Sequence, residues 1–341
     1  MARFDFGARL PVLAAPMAGG PGPPDLVIAA AKAGSLGFIA AGYKAPDELA
    51  AQLDAVGKAG VPCGVNLFSP NPVPADPAAF RQYAQLMRRE ADRYQAARPG
   101  GGPVQDDDRW HDKIDLLLAR PVPVISFTFG LPPAAALRAL RPTGALLVQT
   151  VTSPAEAMAA AQAGLDAVAV QSAAAGGHSG TFTPQRPAAA LTAAELVAAV
   201  RQAITLPIVA AGGIATSADV AAVLLAGADA VAVGTALLLC DEAGTSATHR
   251  AALADPGRPG TVITHAFTGR PARGLRNAFI DDYESVAPYG YPALHHLTSG
   301  IRKAAAAAGD PERVHLWAGT GYRHAAAGPA AAILAELASA V

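Results

Sequence analysis

A stretch of eight residues occurs twice in this chain in nearly the same form. Residues 163–170 read AGLDAVAV, and residues 226–233 read AGADAVAV. In both copies the glycine follows an Ala-rich helical pattern, where a left-handed residue commonly ends a helix, and the aspartate precedes an apolar strand. A repeated helix–turn–strand unit predicts a fold of alternating strands and helices.

Short apolar runs bounded by turn residues predict eight strands. They lie at residues 12–15, 36–40, 64–68, 122–127, 145–149, 167–171, 207–211 and 230–233. Ala-rich stretches of helical period separate most of them, and the strands are apolar on both faces, as a parallel sheet covered by helices requires. Eight such units predict an α/β fold, a TIM (β/α)8 barrel, with a doubly wound open sheet as the alternative.

Two regions interrupt this alternation. Residues 70–121 combine a Pro-rich start, a charged helix around 80–94 and the acidic run Asp106-Asp107-Asp108, whereas residues 241–324 are richer in charge, His and Tyr than the barrel. We therefore predict three parts. The first is a barrel over residues 1–240 with an insertion at 70–121. It is followed by a small, mostly helical subdomain over 241–324 near the barrel mouth and by a C-terminal helix over 325–341 that packs back on the barrel.

The composition and the net charge indicate which classes of partner this chain can bind. The chain has 341 residues, 52% hydrophobic and 16% charged, so it can bury a large core. Its 26 basic and 27 acidic residues give a formal net charge of −1. A chain with this charge has no net positive potential that would attract nucleic acid or an anionic membrane surface. The sequence shows neither a secretory signal pattern nor an apolar run near the roughly 20 residues that span a bilayer. We expect a cytoplasmic protein with small-molecule partners, and homo-oligomerisation stays open.

The predicted strand ends, where barrel enzymes gather their chemistry, carry small, amide or hydroxyl side chains. They are Pro16, Met17, Asn66, Thr128, Gln149, Gln171, Gly212, Gly213, Gly234 and Thr235. No paired carboxylates offer a metal site, and none of the five lysines stands at a strand end as a Schiff-base nucleophile would. The reactive group is therefore expected to be a bound organic cofactor, a polar heterocycle that amides and backbone N–H groups can bind.

Two glycine-bearing turns follow the seventh and eighth predicted strands. They read Ala211-Gly212-Gly213-Ile214 and Val233-Gly234-Thr235. Barrels commonly bind phosphate at this place, because glycine lets backbone amides approach the phosphate oxygens. Ordinary βα turns also use glycine, so the prediction depends on the coincidence of two such turns after consecutive strands. Together with the amide-bearing strand ends, they predict flavin mononucleotide (FMN).

His178 is the ionisable candidate near the predicted mouth, in the glycine-rich loop 171–180. Imidazole accepts a proton near neutral pH, and the glycines let it approach a flat cofactor. It would take a proton from a carbon next to an electron-withdrawing group. The alternative is a loop histidine with a structural hydrogen bond. Thr128 and His296, the latter from the pair His295-His296, are further candidates on the substrate side.

Seven segments together resemble one family. They are AAPMAGG at 14–20, GVNLF at 64–68, VISFTFG at 124–130, QSAAAGGHSG at 171–180, AGGI at 211–214, VGT at 233–235 and LWAG at 316–319. The chain resembles the nitronate monooxygenases, formerly called 2-nitropropane dioxygenases. The AGGI and VGT segments alone are shared with many FMN barrels, so the combination carries the resemblance.

This resemblance implies an FMN-bound barrel that oxidises alkyl nitronates, or nitroalkanes, with O2 to a carbonyl compound and nitrite. Carried over by position, the implied FMN contacts are Ala15, Pro16, Met17, Asn66, Gln149, Gln171, Gly176, Gly177, Ala211, Gly212, Gly213, Gly234 and Thr235. His178 matches the family's active-site histidine, acting as a base or as a group that positions the nitronate. No metal is implied.

Two positions depart from the family pattern. Thr128 stands where similar sequences have the histidine of Phe-His-Phe-Gly, and Thr320 stands where they have the glutamine of Trp-Ala-Gly-Gln. Neither position belongs to the phosphate turns, so both bear on the substrate and not on FMN. Two alternatives stay open: an NAD(P)H-dependent FMN enoyl reductase of the related barrel group, and a flavin-binding protein without this turnover.

Overall fold

The computed structural model describes residues 6–187 and 189–341, so residues 1–5 of the predicted barrel segment lie outside the described residues. The strands are β1 (Val12–Ala14), β2 (Phe38–Ala40), β3 (Gly64–Phe68), β4 (Val124–Thr128), β5 (Leu146–Val151), β6 (Ala167–Gln171), β7 (Gly177–His178), β8 (Ile208–Ala211), β9 (Ala230–Val233), β10 (Thr261–Thr264) and β11 (Ala272–Leu275).

Eight of these strands form a closed parallel sheet. Their order is β1-β9-β8-β6-β5-β4-β3-β2. The two end strands meet, because Ala14 bridges Gly37 in parallel and its amide donates to the Leu36 carbonyl at 3.0 Å. The TIM (β/α)8 prediction is confirmed, and the open-sheet alternative is wrong. β7, β10 and β11 form a separate antiparallel sheet in the order β10-β11-β7.

Helices alternate with the barrel strands and continue beyond them. They are α1 (Pro24–Lys32), α2 (Pro46–Lys58), α3 (Pro77–Arg93), α4 (Trp110–Ala119), α5 (Ala134–Leu140), α6 (Pro154–Gln162), α7 (Ala193–Ala203), α8 (Ser217–Leu225), α9 (Ala247–Ala254), α10 (Ala278–Tyr283), α11 (Ala293–Ala307) and α12 (Ala330–Leu337). Side-chain caps begin several of them; the Thr216 hydroxyl accepts from the Asp219 amide, and the Asp219 carboxylate accepts from the Thr216 amide. Within the described residues, none of the helices has the length and apolar character needed to cross a membrane.

The barrel strands send alternate side chains to two apolar layers. On β5, Leu147 and Val151 pack outward against the helices, whereas Val148 joins a smaller cluster inside the barrel with Leu13 and Val209. The inner cluster fills the lower part of the barrel. It therefore leaves space for a ligand only above it, at the carboxyl ends of the strands.

The insertion at 70–121 divides between two parts of the molecule. Trp110 and Leu117 of α4 pack in the barrel core, so α4 is the barrel helix that precedes β4. Phe80 and Met87 of α3 instead join a second core with Phe267 from the region that follows the barrel. The charged helix predicted around 80–94 is confirmed as α3, and it belongs to the covering layer.

The covering layer, called the cap below, consists of α3 and residues 241–324. Besides α9, α10 and α11, it contains β10 and β11, and β11 pairs with β7 from the loop that carries His178. The sequence did not predict this sheet. α12 contacts α1, α8 and β1 of the barrel. We retain the division of the chain at residues 240 and 324 as a proposal.

Candidate functional site

A cavity of about 580 Å³ lies at the carboxyl ends of the barrel strands. Its floor is apolar and includes Leu13, Val148 and Val209 from the inner cluster. The turns after β1, β6, β8 and β9 form its walls, and α11 and residues 314–321 of the cap cover it. Its size falls within the range of roughly 300–1,000 Å³ of small-molecule and cofactor sites.

The structure brings most of the predicted site residues to this one cavity. The lining includes Ala15, Pro16, Met17, Asn66, Thr128, Gln171, Gly176, Gly177, His178, Ala211, Gly212, Gly213, Gly234 and Thr235. These residues come from six strand ends that are far apart in sequence. Their contact with FMN stays a prediction.

Gln149 is a predicted site residue that does not line the cavity. It is fully buried, and its side-chain amide nitrogen, Nε2, donates to the carbonyls of Phe127 at 3.3 Å and Thr150 at 3.0 Å. Because side chains alternate along β5, Val148 and Thr150 face the cavity and Gln149 faces the helix layer. The prediction for Gln149 is therefore corrected: Thr150 is the residue of β5 that reaches the mouth.

His296 also lies away from this cavity. Its Nε2 contacts the Asp106 carboxylate at 2.5 Å, at a neighbouring cavity of about 500 Å³. The adjacent residue on α11, His295, lines the main cavity and stacks on the Tyr43 ring at 4.1 Å. Successive helical residues point in directions about 100° apart, so the sequence pair could not reveal which histidine faces the site. The predicted position is therefore corrected: His295, not His296, lines the main cavity. A substrate-side role for this histidine stays a prediction.

The glycine turns bring three chain segments into close contact. Gly213 has φ of +74°, and a Cβ there would lie 2.8 Å from the Ala174 Cβ. The Gly319 amide donates to the Thr235 hydroxyl at 2.9 Å, which joins the cap segment to the turn after β9. Within the described residues, the amides of Gly213 and Thr235 have no hydrogen-bond acceptor. Free main-chain donors in a space that admits no side chain fit the phosphate group of FMN.

Two amide side chains of the mouth are held by protein groups. Asn66 Nδ2 donates to the hydroxyls of Ser126 at 2.9 Å and Thr128 at 3.0 Å. Gln171 Oε1 accepts from the Gly180 amide at 2.7 Å, and its Nε2 donates to the His178 carbonyl at 3.1 Å. Gln171 thus closes the loop that carries His178 while it lines the cavity. Gln171 therefore has a structural role in this loop in addition to its place in the cavity lining.

His178 lies at the cavity wall among aromatic rings. Its ring centroid is 5.7 Å from that of Phe129, 5.8 Å from Tyr291 and 5.6 Å from Trp317. Its Nε2 is 2.9 Å from the Thr268 hydroxyl. Burial, and then the charges of Arg270 and Arg302, lower the pKa of His178 to about 3. The imidazole is therefore neutral at neutral pH.

Arg270 and Arg302 are buried cations beside the cavity. Arg270 donates to the carbonyls of Asn71, Phe129 and Thr181, and Arg302 donates to the His295 carbonyl and the Thr298 hydroxyl. Neither guanidinium pairs with a carboxylate within the described residues. Burial lowers the pKa of each to about 10, so both keep their charge near pH 7. They make the space around His178 favourable for an anion.

Sequence reasoning missed several lining side chains, some from the barrel and some from the cap. The missed lining residues include Tyr43, Phe68, Phe129, Thr150, His249, His295, Arg302, His315 and Trp317. Trp317 lies in a segment quoted for the family resemblance, and Thr150 follows from the register of β5, so these two carried a usable signal. For Arg302 no local pattern distinguished a buried cation from an exposed one.

A closed (β/α)8 barrel whose cavity is lined by the main-chain donors of Gly213 and Thr235 and by a neutral histidine has the features expected of a flavin oxidoreductase of the TIM-barrel class. The sequence model of the family described as nitronate monooxygenase matches residues 4–340. The chain belongs to the nitronate monooxygenase family, as its resemblance predicted.

Individual relatives agree with this assignment. A probable nitronate monooxygenase of Staphylococcus saprophyticus subsp. saprophyticus is 35% identical over 327 residues, which cover 93% of this chain and 90% of the relative. The crystal structure of nitroalkane oxidase from Streptomyces ansochromogenes is 44% identical with a TM-score of 0.91, covering 98% and 96% of the two chains. FabK from Thermotoga maritima is 25% identical with a TM-score of 0.75, covering 98% and 93%.

Proposed function

We propose that this protein binds FMN at the barrel mouth and oxidises alkyl nitronates with O2 to a carbonyl compound and nitrite. Nitroalkanes would enter the same reaction after loss of a proton to His178. When bound, FMN supplies the electron acceptor and the reactivity toward O2 that the side chains of the cavity lack. The nitroalkane oxidase and the probable nitronate monooxygenase named above support this substrate class.

The observation that carries the proposal is the neutral imidazole of His178 at a cavity that Arg302 lines, with Arg270 stacked on the neighbouring Phe129 ring and neither guanidinium paired with a carboxylate among the described residues. A neutral imidazole has a lone pair that can accept a proton from the carbon next to a nitro group. The arginine charges stabilise the anion that remains. A nitronate in the cavity would also raise the pKa of His178, because an opposite charge nearby favours the imidazolium. Proton transfer to His178 therefore becomes easier as the anion forms.

Other residues around the cavity would bind the cofactor, exclude water and orient His178. Main-chain amides at Gly213 and Thr235 would hold the phosphate of FMN, and the apolar floor below would exclude water from the flavin ring. Phe129, Tyr291 and Trp317 limit the orientations of the His178 ring. Fixed geometry of this kind lowers the entropy cost of bringing the reacting atoms together.

The test is the variant His178→Asn, assayed on a neutral nitroalkane and on the same compound as a preformed nitronate. We expect bound FMN to be retained and kcat/KM on the nitroalkane to fall by about 100-fold or more. The loss on the nitronate should be smaller, because the proton is already absent. Equal losses on both substrates would reject proton abstraction and leave only a positioning role.

The two alternatives predict other results for the unaltered protein. Anaerobic nitronate should bleach the flavin absorbance rapidly, and NADH or NADPH should bleach it slowly. Rapid bleaching by NAD(P)H would favour the enoyl reductase alternative. Bound flavin that neither reagent bleaches would indicate a flavin-binding protein without this turnover, and a folded, colourless protein that takes up no added FMN would reject the proposal.

A further inference from the structure

The loop that carries His178 is fixed to the cap by its backbone. β7 pairs antiparallel with β11, with His178 opposite Ala272, and the Ser179 amide donates to the Pro271 carbonyl at 2.8 Å. The turn before β11 carries Thr268, whose hydroxyl is buried and lies 2.9 Å from His178 Nε2. This cap residue is thus in a position to control the protons of the imidazole.

The neighbours of Thr268 decide the direction of that hydrogen bond. The Thr268 hydroxyl also contacts the Arg270 carbonyl at 3.2 Å, and a carbonyl only accepts. The hydroxyl has one proton. If it donates to Arg270, its oxygen accepts a proton from His178 Nε2, and both contacts are hydrogen bonds. If the hydroxyl donated to Nε2 instead, the Thr268 oxygen and the Arg270 carbonyl oxygen would face each other with no proton between them. Leaving two buried acceptors in this arrangement costs free energy.

The other ring nitrogen of His178 is open. Within the described residues, Nδ1 makes no hydrogen bond, and it is not among the buried polar atoms that lack a partner. His178 lines the cavity and is partly exposed to it. With the proton on Nε2, the lone pair is on Nδ1, and Nδ1 is the nitrogen that a molecule in the cavity can reach.

We propose that Thr268 is a positioning residue that holds neutral His178 in the Nε2–H tautomer, so that Nδ1 is the nitrogen that receives the substrate proton. This inference rests on the proposed function. In the step it describes, the C–H bond next to the nitro group breaks and its electron pair moves into the nitro group. A new N–H bond forms at Nδ1, giving a nitronate and an imidazolium. Thr268 itself does not line the cavity.

The first experiment measures the tautomer without any turnover. The FMN-loaded protein is labelled with ¹⁵N-histidine, and the ring resonances of His178 are assigned by their loss in His178→Asn. Near pH 7 we expect the ¹⁵N shifts and couplings of a neutral ring with the proton on Nε2. A proton on Nδ1 in the unaltered protein would overturn the proposal, whatever the enzyme acts on.

The second experiment removes the hydroxyl and keeps the shape of the side chain. In Thr268→Val, we expect a measurable population of the Nδ1–H tautomer and a fall of about tenfold or more in kcat/KM on a neutral nitroalkane. The activity on preformed nitronate should change by less than about threefold. Thr268→Ser keeps the hydroxyl and should restore both the tautomer and the nitroalkane rate. An unchanged tautomer in a folded Thr268→Val protein, or a Thr268→Ser protein as impaired as Thr268→Val, would overturn the role of the hydroxyl.

These outcomes separate this inference from the proposed function. If the protein fails to oxidise nitro compounds but Thr268→Val shifts the tautomer, the positioning role is supported and the proposed substrate is wrong. If it oxidises nitroalkanes and the tautomer does not respond to Thr268, the proposed function stands and this inference fails.

Discussion

The barrel and the cap contribute different kinds of atoms to the same cavity. The barrel provides backbone amides and small or uncharged side chains, as at Gly213 and Thr235. The cap provides the cationic side chains, Arg302 and Lys303, and part of the aromatic surface, including Trp317. The surface suited to a phosphate is therefore determined by the course of the barrel backbone, whereas the chemistry around His178 depends on side chains that can change without altering that backbone.

Two buried arginines of the cap test this division most strongly. Arg313 pairs with Glu90 at 3.1 Å and Asp282 at 2.8 Å and does not line the cavity. Arg302 lines the cavity and has no carboxylate partner among the residues that the structure describes. We expect Arg313→Met to lower the free energy of unfolding by about 3 kcal/mol, because the buried Glu90 loses its nearest cation and keeps only the more exposed Arg93, 3.8 Å away. Urea unfolding measures this. The KM for a nitronate should hardly change.

Arg302→Met is the matched variant, for which we expect a small loss of stability and a large rise in KM. Its stability loss should be clearly smaller than that of Arg313→Met, because no buried carboxylate loses a partner. The KM for a nitronate anion should rise roughly 10- to 100-fold, which corresponds to one lost charged contact. A neutral nitroalkane should show a smaller rise. If both arginine variants had the same profile, the proposed separation between structural and substrate-facing cations in the cap would be wrong.

A substitution at Gly213 tests whether the barrel backbone forms the phosphate-binding surface. Gly213→Ala introduces a Cβ 2.8 Å from the Ala174 Cβ at a φ of +74°. We expect the dissociation constant of FMN, measured by fluorescence titration, to rise by roughly tenfold or more, because the turn must move away from its phosphate-binding position. Gly144→Ala is the control, since Gly144 has a similar φ of +77° but open space around it and no place in the cavity lining. Equal losses of FMN affinity in the two variants would show that backbone strain alone is responsible.

The cap should also make the stability of the protein sensitive to acid. Burial lowers the pKa of His249 to about 4, below the value of about 6.5 for an unfolded histidine. Between these two values the unfolded chain binds more protons, so stability is present above about pH 6.5 and is lost as the pH falls toward 4. We expect His249→Gln to reduce this pH dependence by about 1–3 kcal/mol over that window, measured by urea unfolding at each pH. A slope identical to that of the unaltered protein would exclude His249 as its source.

The sequence predicted the barrel and the turns because their signals are local. Two Gly-bearing turns, eight apolar runs and the repeated AGxDAVAV unit each occur within a few residues. The errors arose where the outcome depends on side-chain direction or long-range packing. Gln149 and Thr150 differ by one position on a strand, and His295 and His296 by one position on a helix. The pairing of β7 with β11, and the contact of Thr268 with His178, join residues about 90 positions apart, which no local pattern reports.

The division of the insertion between barrel and cap limits which segments can be exchanged between related proteins. Since α3 belongs to the hydrophobic core of the cap while α4 belongs to the barrel, the cap is encoded by two stretches of chain on either side of most of the barrel strands. A chimera that exchanged residues 241–324 alone would combine one parent's α3 with the other parent's core around Phe267. Transfer of substrate preference between relatives should therefore require both stretches to be grafted together.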